Sequence, residues 1–397
     1  MKILMITPYL PYPLVSGGQI RTYNLLKNLA QKHQITLASF IRRDDEKKYL
    51  KDLKPFCSSV IVFKRRKAWS PVNILLSAIT PFPFLVCIYL DFSMRKHISS
   101  LLKSEKYDLI HAETFYVMPN IPRTKVPILL VEQVIEYLVY QRFVESLNKY
   151  LALLKPFLLL DVFKIKFWEL HYWKKARRLA AMSYEDKKFI ENSAKSLRVD
   201  VVANGVDIEH FSNSIRVNPE KPTVLFIGNF KWLPNRDAVK FLVASIWPKI
   251  KEAIPRARLW IVGRNPTSDI LNLKSEDIEI ESGIEDIRVA YTQAHVLLAP
   301  IRNGRGTKYK ILEAMATKTP IVGTGLAIEG INVKNGEEAL VSETAEGLAK
   351  ATIKVLDNPS LGQKLAGAAY NLVSIDYNWK KISLELDRVY KEVGGVN

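Results

Sequence analysis

The sequence predicts an α/β fold of two doubly wound parallel sheets in series, and three observations lead there. Short runs rich in Val, Ile and Leu alternate with helix-like segments along the whole chain, the pattern of strands buried on both faces of a parallel sheet. At 397 residues with 48% apolar content, the chain is too long for one ordinary domain and can supply two cores. A polar, proline-bearing stretch from Asn213 to Pro222 follows a strand-like run that ends in an Asn204-Gly205 turn, which places the join between the halves near residue 200.

The expected strands of the first half are Lys2 to Ile6, Ile35 to Phe40, Val60 to Phe63, Leu109 to His111, Ile128 to Val131 and Leu179 to Met182. Those of the second half are Val224 to Ile227, Arg258 to Val262, Ile278 to Glu281, Val296 to Ala299, Ile321 to Val322 and Ala339 to Val341. The opening apolar run stops at Thr7-Pro8 with no small-residue cleavage site after it, so it reads as a buried strand and not as a leader. Val72 to Leu90 is long enough to span a bilayer but contains Pro81 and Pro83, so it is expected to pack within the first domain or to insert partly into a membrane face. Tyr150 to Arg178 interleaves Leu, Phe and Trp with lysines and arginines, which suits either a basic amphipathic helix pair at a membrane surface or a core helix with solvated lysines.

The formal charge of +18 is uneven: residues 1–200 carry 33 Lys and Arg against 17 Asp and Glu, and the remainder carries 25 against 23. The basic partner surface therefore belongs to the first half, and an anionic membrane or an acidic substrate explains it better than nucleic acid, for which no recognised module is present. Cys57 and Cys87 have no metal-ligand spacing, need no disulfide and read as buried thiols, which fits a reducing compartment.

Ligands of open α/β sheets sit beyond the carboxyl ends of strands, so the loops there carry the chemistry. The richest is Gly304 to Thr324, which reads as a glycine-rich turn after a strand, a helix starting near Thr307, and another strand. Gly304 and Gly306 let backbone approach a ligand, while the helix start with Arg305, Lys308 and Lys310 suits a diphosphate. Thr307, Lys310 and Glu313 trace one stripe down that helix, and the Glu313 carboxylate suits the vicinal hydroxyls of a ribose, unless it merely pairs with Lys310. Asn229, Lys231 and Arg236 follow a strand and can face the same diphosphate. In the first half, Gly17, Gly18 and Arg21 open a helix after the first strand, and His111 and Glu113 end another strand, where either could contact or deprotonate a hydroxyl. No Asp-x-Asp pair or His/Asp cluster suggests a metal, so none is expected.

Taken together, Asn204-Gly205-Val206-Asp207, the Gly228 to Asn235 loop, Ile261-Val262-Gly263, Gly306 to Ala316 and Tyr377-Asn378-Trp379 resemble, in order, the motifs of the retaining GT-B glycosyltransferases of the large group 4, in the branch with Gly-Thr-x-x-Lys-x-x-Glu-Ala. The resemblance covers nearly the whole chain. It implies two Rossmann-like domains facing a cleft: an acceptor domain of residues 1–200 plus 377–397, with a final helix about Trp379 to Val393 crossing back onto it, and a donor domain of residues 201–376. It implies a nucleoside-diphosphate sugar as donor substrate, no cofactor, and transfer to an acceptor hydroxyl with retention. Glu313 would hold the ribose, Lys310 and the Thr307 helix start the diphosphate, and Gly17-Gly18 would lie near donor phosphate and acceptor. Arg305 stands eight residues before Glu313, where the family often has a glutamate that touches the donor sugar, and Asn229 stands where an arginine is frequent.

The expected function is a metal-independent glycosyltransferase acting on a glycan or lipid-linked acceptor in envelope polysaccharide or glycolipid synthesis, cytoplasmic and peripheral on the inner membrane face. Catalysis falls to His111, Glu113 and Lys310. A nucleotide-sugar-binding or scaffold protein without turnover, or a GT-B nucleotide-sugar epimerase, are the alternatives.

Overall fold

The computed structural model describes residues 1–145, 147, 153–217 and 219–395. The chain divides into two compact units, Met1–Ala203 completed by the segment from Ile382 onward, and Asn204–Lys381. The return to the first unit falls inside the helix Trp379–Gly394.

The first unit is built on a seven-stranded parallel sheet of β1 (Lys2–Thr7), β2 (Gln34–Ile41), β3 (Ser59–Lys64), β4 (Leu109–Glu113), β5 (Ile128–Glu132), β6 (Arg178–Ala181) and β7 (Val199–Val201). Their spatial order is β3-β2-β1-β4-β5-β6-β7. The second unit has a six-stranded parallel sheet of β8 (Thr223–Asn229), β9 (Arg258–Arg264), β10 (Ile278–Glu281), β11 (Val296–Ala299), β12 (Ile321–Gly323) and β13 (Leu340–Val341), in the order β10-β9-β8-β11-β12-β13. Both sheets reverse direction of winding once, between β1 and β4 and between β8 and β11, and these two switch points are where such folds place ligands. Strands such as Ile3-Leu4-Met5-Ile6 and Val296-Leu297-Leu298-Ala299 are fully buried along their length, because helices cover both faces.

All twelve expected strands are present, most of them a residue or two longer than apolar character alone indicated, and β7 adds an edge. The final helix buries Ile382, Leu386, Val389, Tyr390 and Val393 on one stripe at helical spacing, packed within the first unit. Its polar residues close over the sheet: Asp387 meets His33 at 2.9 Å, and Arg388 meets Asp200 at 3.0 Å.

Three local expectations are corrected. The helix of the glycine-rich motif starts at Tyr309 and not near Thr307, since Gly306 sits at φ +80° and Lys308 is extended. Tyr150 to Ala152 lie outside the described residues, and the rest of that segment forms a single helix, Lys155–Lys175, instead of an amphipathic pair. That helix carries large apolar side chains on more than one face: Val162, Ile165, Tyr172 and Trp173 are buried, while Phe157, Leu160, Phe163 and Phe167 are exposed. Thirdly, Cys87 is buried but Cys57 is only half-buried. Pro81 and Pro83 separate the apolar stretch from Val72 into the helices Pro71–Ile79 and Phe84–Tyr89, as rings without N–H groups do. Among the described residues no helix is long and apolar enough to cross a membrane.

Candidate functional site

At the switch point of the second sheet, β8 and β11 each end in a loop that carries expected site residues. After β8, Asn229 makes a tight turn: its Oδ1 accepts from Lys231 N and Asn265 Nδ2, each at 3.1 Å, and its carbonyl accepts from Asn235 Nδ2 at 2.9 Å. The helix Leu233–Phe241 follows with Pro234 in its first turn, where a missing N–H costs nothing. Asn229 thus shapes the loop. Lys231 is exposed, and Arg236 pairs with Asp269 at 3.1 Å.

After β11 the chain runs through Gly304 and Gly306, at φ +104° and +80°, into the helix Tyr309–Ala316. These angles are open to glycine at little cost. Lys310 Nζ donates to Asn235 Oδ1 at 2.9 Å and lies 4.4 Å from the centre of the Phe226 ring, which joins the two loops. Burial drives the Lys310 ammonium down to about 7, against the opposing pull of Glu313. One turn on, Glu313 Oε2 accepts from the Tyr291 hydroxyl at 2.7 Å, and burial raises its carboxyl above the usual range although that hydrogen bond and Lys310 pull it down. Arg305 Nε and Nη1 are buried with no hydrogen-bond partner among the described residues. Buried donors of this kind cost about 1–3 kcal/mol each until an acceptor arrives. The Gly306 amide donates to Glu329 Oε2 at 3.1 Å, and Thr307, expected at the helix start, lies in the loop ahead of it.

The first unit arranges its candidates differently. His111 and Glu113 are wholly buried at the end of β4. His111 Nε2 lies 3.0 Å from Glu113 Oε1, His111 Nδ1 meets the Tyr390 hydroxyl of the final helix, and Glu113 Oε2 accepts from Gln133 Nε2 at 2.9 Å. Gln133 Oε1 in turn accepts from the Tyr9 hydroxyl at 2.9 Å. A neutral imidazole that donates from Nε2 and accepts at Nδ1 satisfies both partners. Burial works to raise the Glu113 carboxyl, but the hydrogen bonds from His111 and Gln133 and the nearby charge of Arg21 hold it below its ordinary value. Arg21 is buried and donates to the Ala203 carbonyl at 2.6 Å. Gly17 and Gly18 begin the helix Gly17–Leu29, and a Cβ on Gly18 would stand 1.7 Å from the Tyr9 hydroxyl, so that glycine makes room for this chain of bonds.

Tyr291, Asn235 and Glu329 were not singled out from the sequence. Glu329 was findable, because it stands between glycines in the loop after β12 and strand-end loops are where polar residues earn scrutiny. Tyr291 sits on a helix in an unremarkable context, and only packing brings it to Glu313. Among the described residues there is no cluster of three or more His, Cys, Asp or Glu that could hold a metal ion.

Two parallel sheets of this kind, each with a switch point and one of them with buried cations and a carboxylate beside it, define a two-unit α/β architecture whose strand-end loops suit a ligand. Residues 15–210 match the family model "Glycosyltransferase Family 4" and residues 221–358 match "Glycosyl transferases group 1". The chain belongs to these GT-B glycosyltransferases. It is 21% identical to an "uncharacterized 44.6 kDa protein in cps region" of Klebsiella pneumoniae, over 98% of this chain and 99% of that one. It is 26% identical to phosphatidyl-myo-inositol mannosyltransferase of Mycobacterium tuberculosis, over 49% of this chain and 54% of that protein, so that likeness spans about half of each. Among solved structures, sucrose-phosphate synthase from Thermosynechococcus elongatus covers 100% of both chains at a TM-score of 0.73 and 16% identity. The HepE protein of Anabaena, solved in complex with UDP and glucose, covers 99% of this chain and 100% of its own at 0.65 and 14% identity.

Proposed function

We propose that this protein moves a sugar from a nucleoside-diphosphate sugar to an acceptor hydroxyl, with retention of configuration and without a metal ion, in envelope polysaccharide or glycolipid synthesis. The observation that carries the reading is the second unit's switch point, where the Glu313 carboxylate held by Tyr291 stands one helical turn from Lys310, with the unsatisfied Arg305 donors on the loop before it. A carboxylate accepts from the paired hydroxyls of a ribose, and the cations take the diphosphate. As the bond between the anomeric carbon and the phosphate oxygen breaks, the nucleoside diphosphate leaves with the electron pair. Lys310 and Arg305 stabilise that charge, and the acceptor oxygen bonds to the anomeric carbon on the face the diphosphate leaves, its proton passing to the departing phosphate oxygen. UDP and glucose in HepE, and a full-length relative from a cps region, support a sugar-nucleotide donor and an envelope role.

The acceptor, a glycan or lipid-linked sugar, is assigned to the first unit, which also carries the membrane face. Helices Pro71–Ile79 and Lys155–Lys175 are tied together by Lys164 Nζ donating to the carbonyls of Ser77 and Thr80 at 2.6 and 3.0 Å. They expose Val72, Leu75, Ile79, Phe157, Leu160 and Phe163, beside Trp69 at 80%. Large apolar side chains left in water on a strongly basic unit suit the interface of an anionic bilayer on the cytoplasmic side.

Titration of the full chain with UDP, GDP, ADP and their hexose conjugates, with and without EDTA, tests the donor. One nucleotide class should bind, insensitive to EDTA. Sedimentation with phosphatidylglycerol vesicles tests the surface: binding should fall with salt and with Trp69→Ser/Phe163→Ser. Binding of a nucleotide sugar without transfer to any acceptor would instead mark a protein that has lost turnover.

A further inference from the structure

The second unit holds a carboxylate that the reading so far leaves without a role. Glu329 lies in the loop after β12 and folds back onto the glycine loop 23 residues upstream, where its Oε2 accepts from Gly306 N at 3.1 Å. The same oxygen lies 3.4 Å from Lys308 Nζ, and Lys308 is itself anchored by donating to the Gly306 carbonyl at 2.6 Å. Glu329 Oε1 takes no hydrogen bond among the described residues, and the side chain remains 30% exposed. One oxygen is therefore fixed and the other is open.

This differs from a solvated surface pair in its partner, since a backbone amide in a glycine loop holds the carboxylate in one place while a long side chain does not. It also decides what the loop can accept. A phosphate drawn to Gly306 N–H would have to displace Glu329 or sit next to its like charge, which repels it. Glu329 thus sets an acceptor, flanked by Lys308, at the Gly306 amide, while the Arg305 donors and Lys310 of the same motif supply positive charge. A ligand with a diphosphate at one end and neutral hydroxyls at the other matches both.

Resting on the donor reading above, we infer that Glu329 recognises the transferred sugar: its open Oε1 accepts a hydrogen bond from a ring hydroxyl, and Gly306 and Lys308 hold it in position to do so. Glu329→Gln keeps an oxygen for the Gly306 amide but turns the open atom into an NH₂ donor, and Glu329→Ala removes both. The test is calorimetry of the full chain and both variants with whichever of UDP, GDP or ADP the parent binds, and with its gluco-, galacto- and mannosyl conjugates. Affinity for the bare nucleoside diphosphate should stay within about twofold. The extra affinity of the preferred conjugate should fall roughly 10-fold or more, as for loss of a hydrogen bond to a charged group, and discrimination among the epimers should collapse. Tighter binding of the bare diphosphate by Glu329→Gln would overturn the inference and make the carboxylate a stand-in for phosphate. Unchanged affinities throughout would reduce it to an ion pair. A parent that binds no nucleoside diphosphate would sink the donor reading and this inference with it.

Discussion

The two sheets share one strand order, yet the His111–Glu113 pair of the first and the Lys310–Glu313 pair of the second are partnered in different ways. In the first unit the loops after β1 and β4 are closed by an unbroken chain of hydrogen bonds, Tyr9 to Gln133 to Glu113 to His111 to Tyr390, with no exposure left at His111 or Glu113. In the second unit the corresponding loops hold a lysine with a depressed pKa, a carboxylate with a raised one, and buried arginine donors without partners among the described residues. A satisfied buried network stabilises and orients the fold, while unsatisfied charged groups are a cost that a ligand can relieve. Strand-end position alone therefore does not distinguish the two pairs; the partners that packing brings to each side chain do.

The largest test of this contrast is His111→Ala. It leaves Glu113 buried without its partner and Tyr390 without an acceptor, so the urea midpoint of the first unit should fall by the equivalent of about 3–5 kcal/mol while nucleotide binding per folded molecule is kept. A stable variant that binds donor and acceptor but no longer turns over would instead make His111 a catalytic residue and erase the contrast. Next in size, Lys310→Ala should lower kcat by roughly 100- to 1,000-fold with a smaller change in donor affinity, because the ammonium acts on charge that develops as the diphosphate leaves. Weaker donor affinity with kcat unchanged would place Lys310 in ground-state binding only. Glu313→Ala should weaken nucleoside diphosphate binding by roughly 100-fold, the scale of two hydrogen bonds from a ribose to a carboxylate. Undiminished binding would end the ribose assignment.

The smallest effect is a pH dependence. Lys310 titrates near 7 in the free protein, and a bound diphosphate would raise it, so the complex holds more protons than its parts above that value. Donor affinity should consequently be constant below pH 7 and fall by up to about tenfold per pH unit as pH rises from there toward the pKa in the complex. Calorimetry at pH 8 should record proton uptake, and Lys310→Met should abolish it.

Much of this was legible in the residues. The strands could be read because each is a nearly continuous apolar run, and the glycine-rich loop because Gly304 and Gly306 occupy backbone that other residues avoid. Lys310 and Glu313 were legible too, since one helical turn separates them on any helix. The partners of Asn229 and Arg236 were not legible: Asn229 bonds within its own turn and Arg236 pairs with Asp269 in another loop. Side-chain reach of several ångströms makes such choices invisible to spacing.

By itself, then, the sequence determined the two-sheet α/β architecture, the glycine-rich loop and the Lys310–Glu313 pair, because periodicity and glycine conformations are local properties. Tertiary structure alone decided which charges are satisfied. Tyr390 reaches His111 from 279 residues away and Tyr291 reaches Glu313 from 22, while Glu329 crosses 23 to occupy the Gly306 amide. Hydrogen bonds between such distant partners depend on how elements pack, and it is packing that separates a closed network from a site still able to accept a ligand.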